Sequence, residues 1–520
     1  MTARALGKMV VGNILATTAV RYPDSLAFYC SSTGRRFTFA DVDARTNRLA
    51  QALLNRGRQR GDIIAFLVSN RAEMADIYFA LARTGMIGLP LNHRLTAAEL
   101  KNLIRDMPPK ALIYEGRFAA LARSVHEAVP NLDPIVRIGG DSNMIGRDYE
   151  ELLAAAPAIP PAIEIEEEDA FYFNLTSGTT GAPKAYILSH YNNTTFYPFM
   201  QTIDMSRLDV VMTVFPIHGR VGAAWMFGSV MYGVPNVLTN FEPAEVLRLI
   251  EAESVTILNV VPTMAAMMLS VQTSTHHDLK SLRGIIFAGA SLPASIREQT
   301  VMTLCRDIYE FYGMNEMGPL VLSTPEDRNW RPDSVGKPIT FSQVRIVNDD
   351  GRDVGPNQVG EILGRTPLGA LAYFGNPEKS AETFRDGWVH TGDLGCLDEE
   401  GYLFIRGRKK DVIVTGGQNV YTAEVEEIVL RYGGVAECAV FGLPDDLWGE
   451  RVVCVVVPRH ANLEAEQLEA FCRQHLAGFK VPKAFFVETS PLPRTATNKV
   501  QKFLLAERFG SRASAPAAPV

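Results

Sequence analysis

Apolar and polar positions alternate in a clear rhythm over residues 1–150. Thr38 stands before a run in which Val42, Leu49, Ala52 and Leu53 share one side of a helix that stops at Gly57. A compact apolar stretch at 63–68 reads as a strand. Met74, Ile77, Tyr78, Leu81 and Ala82 then follow the i, i+3, i+4, i+7, i+8 spacing of a half-buried helix. Gly85 ends that helix before a second apolar strand at 87–91. Strand, helix, strand in this order predicts a parallel sheet and an α/β fold. The same alternation returns at 210–215, 255–261, 284–287 and 305–311. Near the C-terminus the pattern becomes that of a small α/β unit. Val425, Ile428, Val429 and Tyr432 make one helix face, with strands at 439–442 and 452–458. Thr422 is placed to open that helix as a cap.

Length changes the picture first: 520 residues exceed what one hydrophobic core serves, so roughly two to four domains are expected. The apolar share of 47% and charged share of 21% are those of a soluble globular protein. A net charge of -7 gives no electrostatic case for nucleic acid or an anionic membrane. The six cysteines at 30, 305, 396, 438, 454 and 472 form no CxxC pair, which reads as buried thiols in a reducing, cytoplasmic compartment. The start, MTARALGKMV, lacks a continuous apolar segment of signal-peptide length. The charge-poor stretches 221–242 and 254–276 are broken by Pro, Gly, Asn or Thr, so they read as core and not as integral membrane segments. Residues 154–169 are Pro/Ala-rich and then acidic, an exposed connection with a solvated acidic face. The Ala/Pro/Ser-rich end reads as disordered.

The densest chemistry lies at 176–184, TSGTTGAPK, directly after a short aromatic strand at 171–175. Gly178 and Gly181 favour backbone angles that other residues avoid. The loop offers backbone N–H groups and hydroxyls to an anion, and Lys184 adds a point charge, which suits a triphosphate. A Walker loop is excluded, because Pro183 precedes the lysine and Ala185 follows it. A plain Ser/Thr-rich turn is the bland alternative. The order of residues resembles the phosphate-binding loop of the adenylate-forming superfamily, which holds acyl-CoA synthetases, adenylation domains and luciferases.

Further motifs follow in the order of that family, across roughly residues 10–505. Ala288-Gly289-Ala290-Ser291 and Tyr312-Gly313-Met314-Asn315-Glu316 lie at strand ends, where open α/β sheets place ligands. The second resembles Y-G-x-T-E, with Asn315 in place of threonine. Trp388 to Gly395, WVHTGDLG, resembles W-x-x-T-G-D-L-G, and Gly407 to Asp411 resembles G-R-x-(D/K)-D. Pro216 to Gly222, PIHGRVG, resembles P-L-x-H-x-x-G, with His218 one position early. Residues 493–499, PRTATNK, resemble the segment that carries the adenylation lysine.

The resemblance implies an acyl-CoA synthetase, an acid–thiol ligase using ATP, Mg²⁺ and coenzyme A on a small-molecule carboxylate. It implies ATP or AMP contacts from Thr176, Ser177, Gly178, Thr179, Thr180, Gly181, Lys184, Gly289, Ala290, Ser291, Tyr312, Gly313, Asn315, Glu316, Asp393, Arg408 and Lys499. Lys499, Glu316, Lys184 and Thr176 are its catalytic set, with Glu316 and Thr176 at the metal. The acyl pocket is expected at His218, Gly219, Arg220, Ala223 and Met314. Arg220 either snorkels or serves as a counter-charge for a polar acyl tail. Coenzyme A is expected at Arg94, Gly416, Gly417, Trp448, Phe479 and Lys483. The implied architecture is α/β: a large N-terminal domain of parallel-rich sheets and helices at 1–409, a small mobile C-terminal domain at 410–505 hinged at Lys410, and a disordered tail at 506–520. Loading of a carrier protein and nucleotide binding without turnover stay open as alternatives. So does a homodimer, since the sequence does not read oligomeric state.

Overall fold

Thr38 opens the first predicted helix through a capping box. Its Oγ1 accepts from the Asp41 amide at 3.1 Å, and the Asp41 carboxylate accepts from the Thr38 amide at 2.9 Å. The helix Phe39–Asn55, strand Ile63–Leu67, helix Glu73–Thr84 and strand Ile87–Pro90 follow, as the rhythm predicts. The computed structural model describes residues 7–176, 184–445, 447–459, 463–494 and 500–513.

Two large sheets dominate. The seven-stranded one runs, in spatial order, Arg147–Asp148, Ile135–Ile138, Ala111–Glu115, Ile63–Leu67, Ile87–Pro90, Ala170–Thr176 and Lys184–Ser189. All its pairs are parallel except the last. The nine-stranded sheet has a parallel centre of Asn236–Leu238, Val211–Thr213, Ile257–Val260, Gly284–Phe287 and Ile308–Met314, with antiparallel pairs towards its edges.

The helices Glu73–Thr84 and Arg220–Tyr232 share the largest apolar cluster with both sheets. Tyr78 sits at its middle, edge-on to Phe66, Tyr172 and Phe227 at 5.1–5.4 Å. The first of these helices corrects the expectation of half burial: every residue of Glu73–Thr84 is buried. Its charges are therefore paired. Asp76 accepts from Arg45 at 2.8 Å and from the Tyr149 hydroxyl at 3.0 Å. Burial still raises the Asp76 carboxyl to about 6.

The acidic stretch is also more than a solvated face. Lys8 pairs with Glu164 and Glu166, both at 2.7 Å, and Arg60 pairs with Asp169 at 2.6 Å. These acids fasten the N-terminal segment and the turn at Arg60 to the seven-stranded sheet.

A five-stranded sheet that includes Gly360–Arg365, Trp388–Leu397 and Leu403–Arg408 leads to the turn Lys409–Asp411. Beyond that turn the chain builds another five-stranded sheet around the paired strands Val435–Asp445 and Gly449–Pro458. Two expectations fail here. Thr422 does not cap its helix; it is the first residue of Thr422–Arg431, and its hydroxyl accepts from Lys502 Nζ at 2.9 Å. The end is not disordered from residue 506, because a helix spans Lys502–Ala513. Leu505 and Phe509, four apart, bury against the long hairpin. Residues 514–520 lie outside the described residues. Among the described residues no helix is long and apolar enough to cross a membrane. All six cysteines are free thiols.

Candidate active site

The parallel strands of both sheets end at one cleft of about 2800 Å³. Its wall includes Ala288 to Pro293 beyond one strand, the Tyr312–Glu316 stretch at the end of the next, and Lys184 from the seven-stranded sheet. Residues 391–393, 405–413 and 500–503 close it from the far side.

At the polar end three predicted groups meet. Tyr312 Oη donates to Asp393 Oδ2 at 2.8 Å, and Arg408 Nε lies 3.3 Å from Asp393 Oδ1. Asp393 and Arg408 are register partners on antiparallel strands, so the ladder itself sets their spacing. Thr391 Oγ1 accepts from the Asp393 amide at 3.0 Å and donates to the Ile362 carbonyl at 2.7 Å, anchoring the turn. Burial, and then the neighbouring carboxylate, hold the Tyr312 phenol far above its usual range, so it stays a donor.

Glu316 occupies a tight reversal between the strands Ile308–Met314 and Gly318–Ser323. Gly313 makes that reversal possible: a Cβ there would stand 2.1 Å from the Gly318 carbonyl oxygen. The Glu316 carboxylate is buried and accepts from the Tyr373 hydroxyl at 2.6 Å. Burial and the adjacent Glu316 raise the Tyr373 phenol. Tyr373 was missed in the sequence, where no motif marks it. It belongs to a strap, residues 370–374, that hydrogen-bonds along Lys184–Ser189 through Ile187 and Ala185 and also binds the Glu316 carbonyl. The strap thus ties the strand that begins at Lys184 to the turn that carries Glu316.

Arg220 requires a correction. Its guanidinium does not snorkel: the side chain is buried in the cleft lining and donates to the backbone carbonyls of Asn315 and Leu368. It braces the Glu316 turn against the 368 loop. Ala223 is corrected too. It is buried in the core between the sheets, while Val221, Ala224 and Trp225 of the same helix line the cleft. His218, Gly219 and Met314 do line it. His218 is partly buried, edge-on to His93 at 5.3 Å, and desolvation pushes its imidazole down to about 3.

Gly289, Ala290, Ser291 and Asn315 also line the cleft, as does the exposed Lys410. Arg94 is exposed on the cleft wall beside Arg117. The other residues expected at coenzyme A are not in the cleft wall. Gly416 and Gly417 turn a hairpin at φ 58° and 76°, with the Gly416 amide donating to the Trp448 carbonyl at 2.8 Å. Lys483 is exposed, and Phe479 packs on the small unit's core. Of Thr176 only the backbone, paired with Lys184, is described. Ser177, Gly178, Thr179, Thr180, Gly181 and Lys499 lie outside the described residues.

A magnesium ion fits this donor set. Glu316 supplies one hard carboxylate oxygen in the lining of a cleft that also takes in Lys184. Among the described residues no cluster of three His, Cys, Asp or Glu exists, so most ligands would come from phosphate and water, the usual condition for Mg²⁺.

Fold and site together define a nucleotide-dependent ligase, and comparison with known proteins gives the family. The AMP-binding enzyme family matches residues 15–374, and the AMP-binding enzyme C-terminal domain matches residues 424–499. Long-chain-fatty-acid–CoA ligase FadD13 of Mycobacterium tuberculosis is 32% identical over 96% of this chain and 99% of its own length. Feruloyl-CoA synthase of an Amycolatopsis species is 33% identical over 92% and 95%. Among solved structures, the anthranilate CoA ligase AuaEII with anthranoyl-AMP superposes with a TM-score of 0.88 at 27% identity, covering 97% of this chain and 98% of that one. The o-succinylbenzoate CoA synthetase of Bacillus subtilis with its acyl-adenylate intermediate gives 0.83 at 30% identity, covering 95% and 97%. The same synthetase has been solved with ATP and a magnesium ion. The chain belongs to the AMP-binding enzyme family and is an AMP-forming acid–thiol ligase.

Proposed function

We propose that the protein is an acyl-CoA synthetase in which the polar end of the cleft forms an acyl-adenylate and the apolar end selects the acid. The observation that carries this is the placement of Lys184, Glu316 and the Asp393–Arg408 pair around one cleft. In the first half-reaction a carboxylate oxygen attacks the α-phosphorus of ATP and pyrophosphate leaves. In the second, the thiolate of coenzyme A attacks the acyl carbon, and AMP leaves with that carboxylate oxygen. Carboxylate is a poor acyl donor, and the AMP leaving group removes that obstacle.

The residues divide the work. Asp393 accepts two hydrogen bonds at once, which suits a ribose diol, and Arg408 supports it from the next strand. Tyr312 presents its ring to the base, and the small residues Gly289, Ala290 and Ser291 leave room for it. Lys184 and the hydroxyls of 176–180 hold the phosphates that depart. Glu316 would hold magnesium, which when bound neutralises phosphate charge. Lys499 neutralises charge developing between carboxylate and α-phosphate, a preorganised electrostatic role. The units 1–409 and 410 onward act as separate bodies hinged at Lys410, the second reaching to Ala513 through its last helix. In the conformation described, Arg494 and Lys502 face the cleft and the Gly416–Gly417 hairpin does not. The hairpin, Trp448, Phe479 and Lys483 are assigned to coenzyme A and reach the site only after rotation of the small unit. Free thiols fit a cytoplasmic setting.

A second acceptor has its own arm in the test, because a fatty acid–[acyl-carrier-protein] ligase of Streptomyces coeruleorubidus is 30% identical over 94% of the chain. The experiment is pyrophosphate release across a panel of carboxylic acids, with coenzyme A, with a carrier protein, and with neither. Release followed by AMP and a thioester only with coenzyme A supports the proposal. A thioester only with the carrier protein replaces the acceptor. ATP binding with no pyrophosphate from any acid rejects the synthetase.

A further inference from the structure

The apolar end of the cleft has a floor. Trp225 lines it, yet is 2% exposed, and its indole Nε1 donates to Asn259 Oδ1 at 2.9 Å. Asn259 is itself fixed, its amide donating to the Ile286 carbonyl at 2.8 Å. The indole therefore cannot swing aside without stranding a buried amide oxygen. Phe199 packs edge-on against Trp225 at 6.2 Å and against Phe311 at 5.2 Å, so the rings brace one another. Behind them Met200 fills the space beside Gly228, where even a Cβ would fall 2.2 Å from its methyl. The cleft is closed towards the core by a rigid aromatic wall.

Three polar side chains beside this wall are turned to the scaffold. Asn192 and Asn193 donate to the carbonyls of Pro367 and Ser189 at 3.0 and 2.7 Å. The Arg220 guanidinium is taken by Asn315 and Leu368. A second carboxylate driven against the aromatic faces of this wall would lose its hydration there. A long chain would have to turn past Met264 towards the half-exposed Met267 and leave its methylenes in water. It would forfeit the roughly 0.8 kcal/mol that each buried methylene supplies.

We infer that Trp225, held by Asn259, sets the acid: a compact apolar carboxylate of about one ring, without a second charge. This rests on the acyl-CoA synthetase reading. The test measures kcat/KM by pyrophosphate release for benzoate, phenylacetate, hexanoate, dodecanoate, hexadecanoate and succinate, in the native protein and in Trp225→Ala. The native protein is expected to favour the single-ring acids and hexanoate over dodecanoate, hexadecanoate and succinate by about tenfold or more. Trp225→Ala should raise dodecanoate relative to benzoate by about tenfold, with the KM for ATP unchanged. Preference of the native protein for hexadecanoate or succinate overturns the inference and leaves the synthetase standing. So does an unchanged acid ratio in a folded Trp225→Ala. If that variant does not fold, the native chain-length profile alone decides. Pyrophosphate from no acid at all, with ATP still bound, removes the synthetase reading and the inference with it.

Discussion

The two ends of the cleft are built on different terms. At the end proposed for the nucleotide, polar groups hold one another at hydrogen-bond distance: Tyr312 on Asp393, Asp393 beside Arg408, Tyr373 on Glu316. At the end proposed for the acid, shape is set by aromatic packing, and the Trp225 indole nitrogen points away into the scaffold. The first kind of site needs particular residue types in a fixed order along strands, because hydrogen-bond geometry tolerates little displacement. The second needs volume, which many residue combinations supply. One end should therefore treat all acids alike, and the other should leave ATP untouched.

The largest effect should come from Lys499→Ala. Loss of its charge is expected to slow adenylation on the order of a hundredfold or more. Thioester formation from supplied acyl-adenylate should stay near native. Equal losses in both steps, measured by single turnover, would remove that division of labour. Asp393→Ala should lower kcat/KM for ATP by about a hundredfold, the scale of two charged hydrogen bonds. The factor should be the same for every acid; dependence on the acid would break the separation of the two ends.

Arg220→Leu sharpens the comparison from the other side. As a brace on the Glu316 turn, Arg220 should be missed equally by all acids, and urea unfolding should show about 2–3 kcal/mol less stability. Selective loss of polar acids would restore the counter-charge role that its two backbone bonds argue against. Tyr373→Phe is milder. Removing one hydroxyl from Glu316 should cost about tenfold in kcat with little change in KM for the acid.

The smallest effect at neutral pH lies in the core. His190 stacks on Phe171 at 4.9 Å, and its Nδ1 accepts from the Val11 amide at 3.3 Å, so the buried ring is neutral. Burial lowers it from the usual 6.5 to about 4. The unfolded chain thus binds a proton first as pH falls. The stability that neutral His190 contributes is complete above 6.5 and drains away towards 4, at about 1.4 kcal/mol per pH unit. His190→Asn should flatten that slope in urea titrations. An unaltered slope would place the acid sensitivity elsewhere.

This contrast also explains what could be read in advance. The gathering of Lys184, Glu316, Asp393 and Arg408 at one cleft was legible because each stands in a short motif, Glu316 just past a strand end and Asp393 opposite Arg408 in an antiparallel ladder. The acyl helix Arg220–Tyr232 was not. It is apolar on nearly every side, so its sequence has no stripe to tell Ala223, which faces the core, from Ala224, which faces the cleft. Arg220 looked misplaced because its partners are backbone carbonyls, which leave no trace in residue identity. Tyr373 is joined to Glu316 by a strap whose pairing is long-range and motif-free. The last helix was hidden by an Ala/Pro/Ser end that drew attention from Leu505 and Phe509.

The most direct test follows the oxygen atom. An acid of the compact class, with both carboxylate oxygens replaced by the heavy isotope, is turned over with ATP and coenzyme A, and the AMP is weighed. Attack of carboxylate on the α-phosphorus transfers one heavy oxygen to each AMP formed. AMP without label, alongside thioester, would mean that no acyl-adenylate was formed and would contradict the role given to the polar end of the cleft.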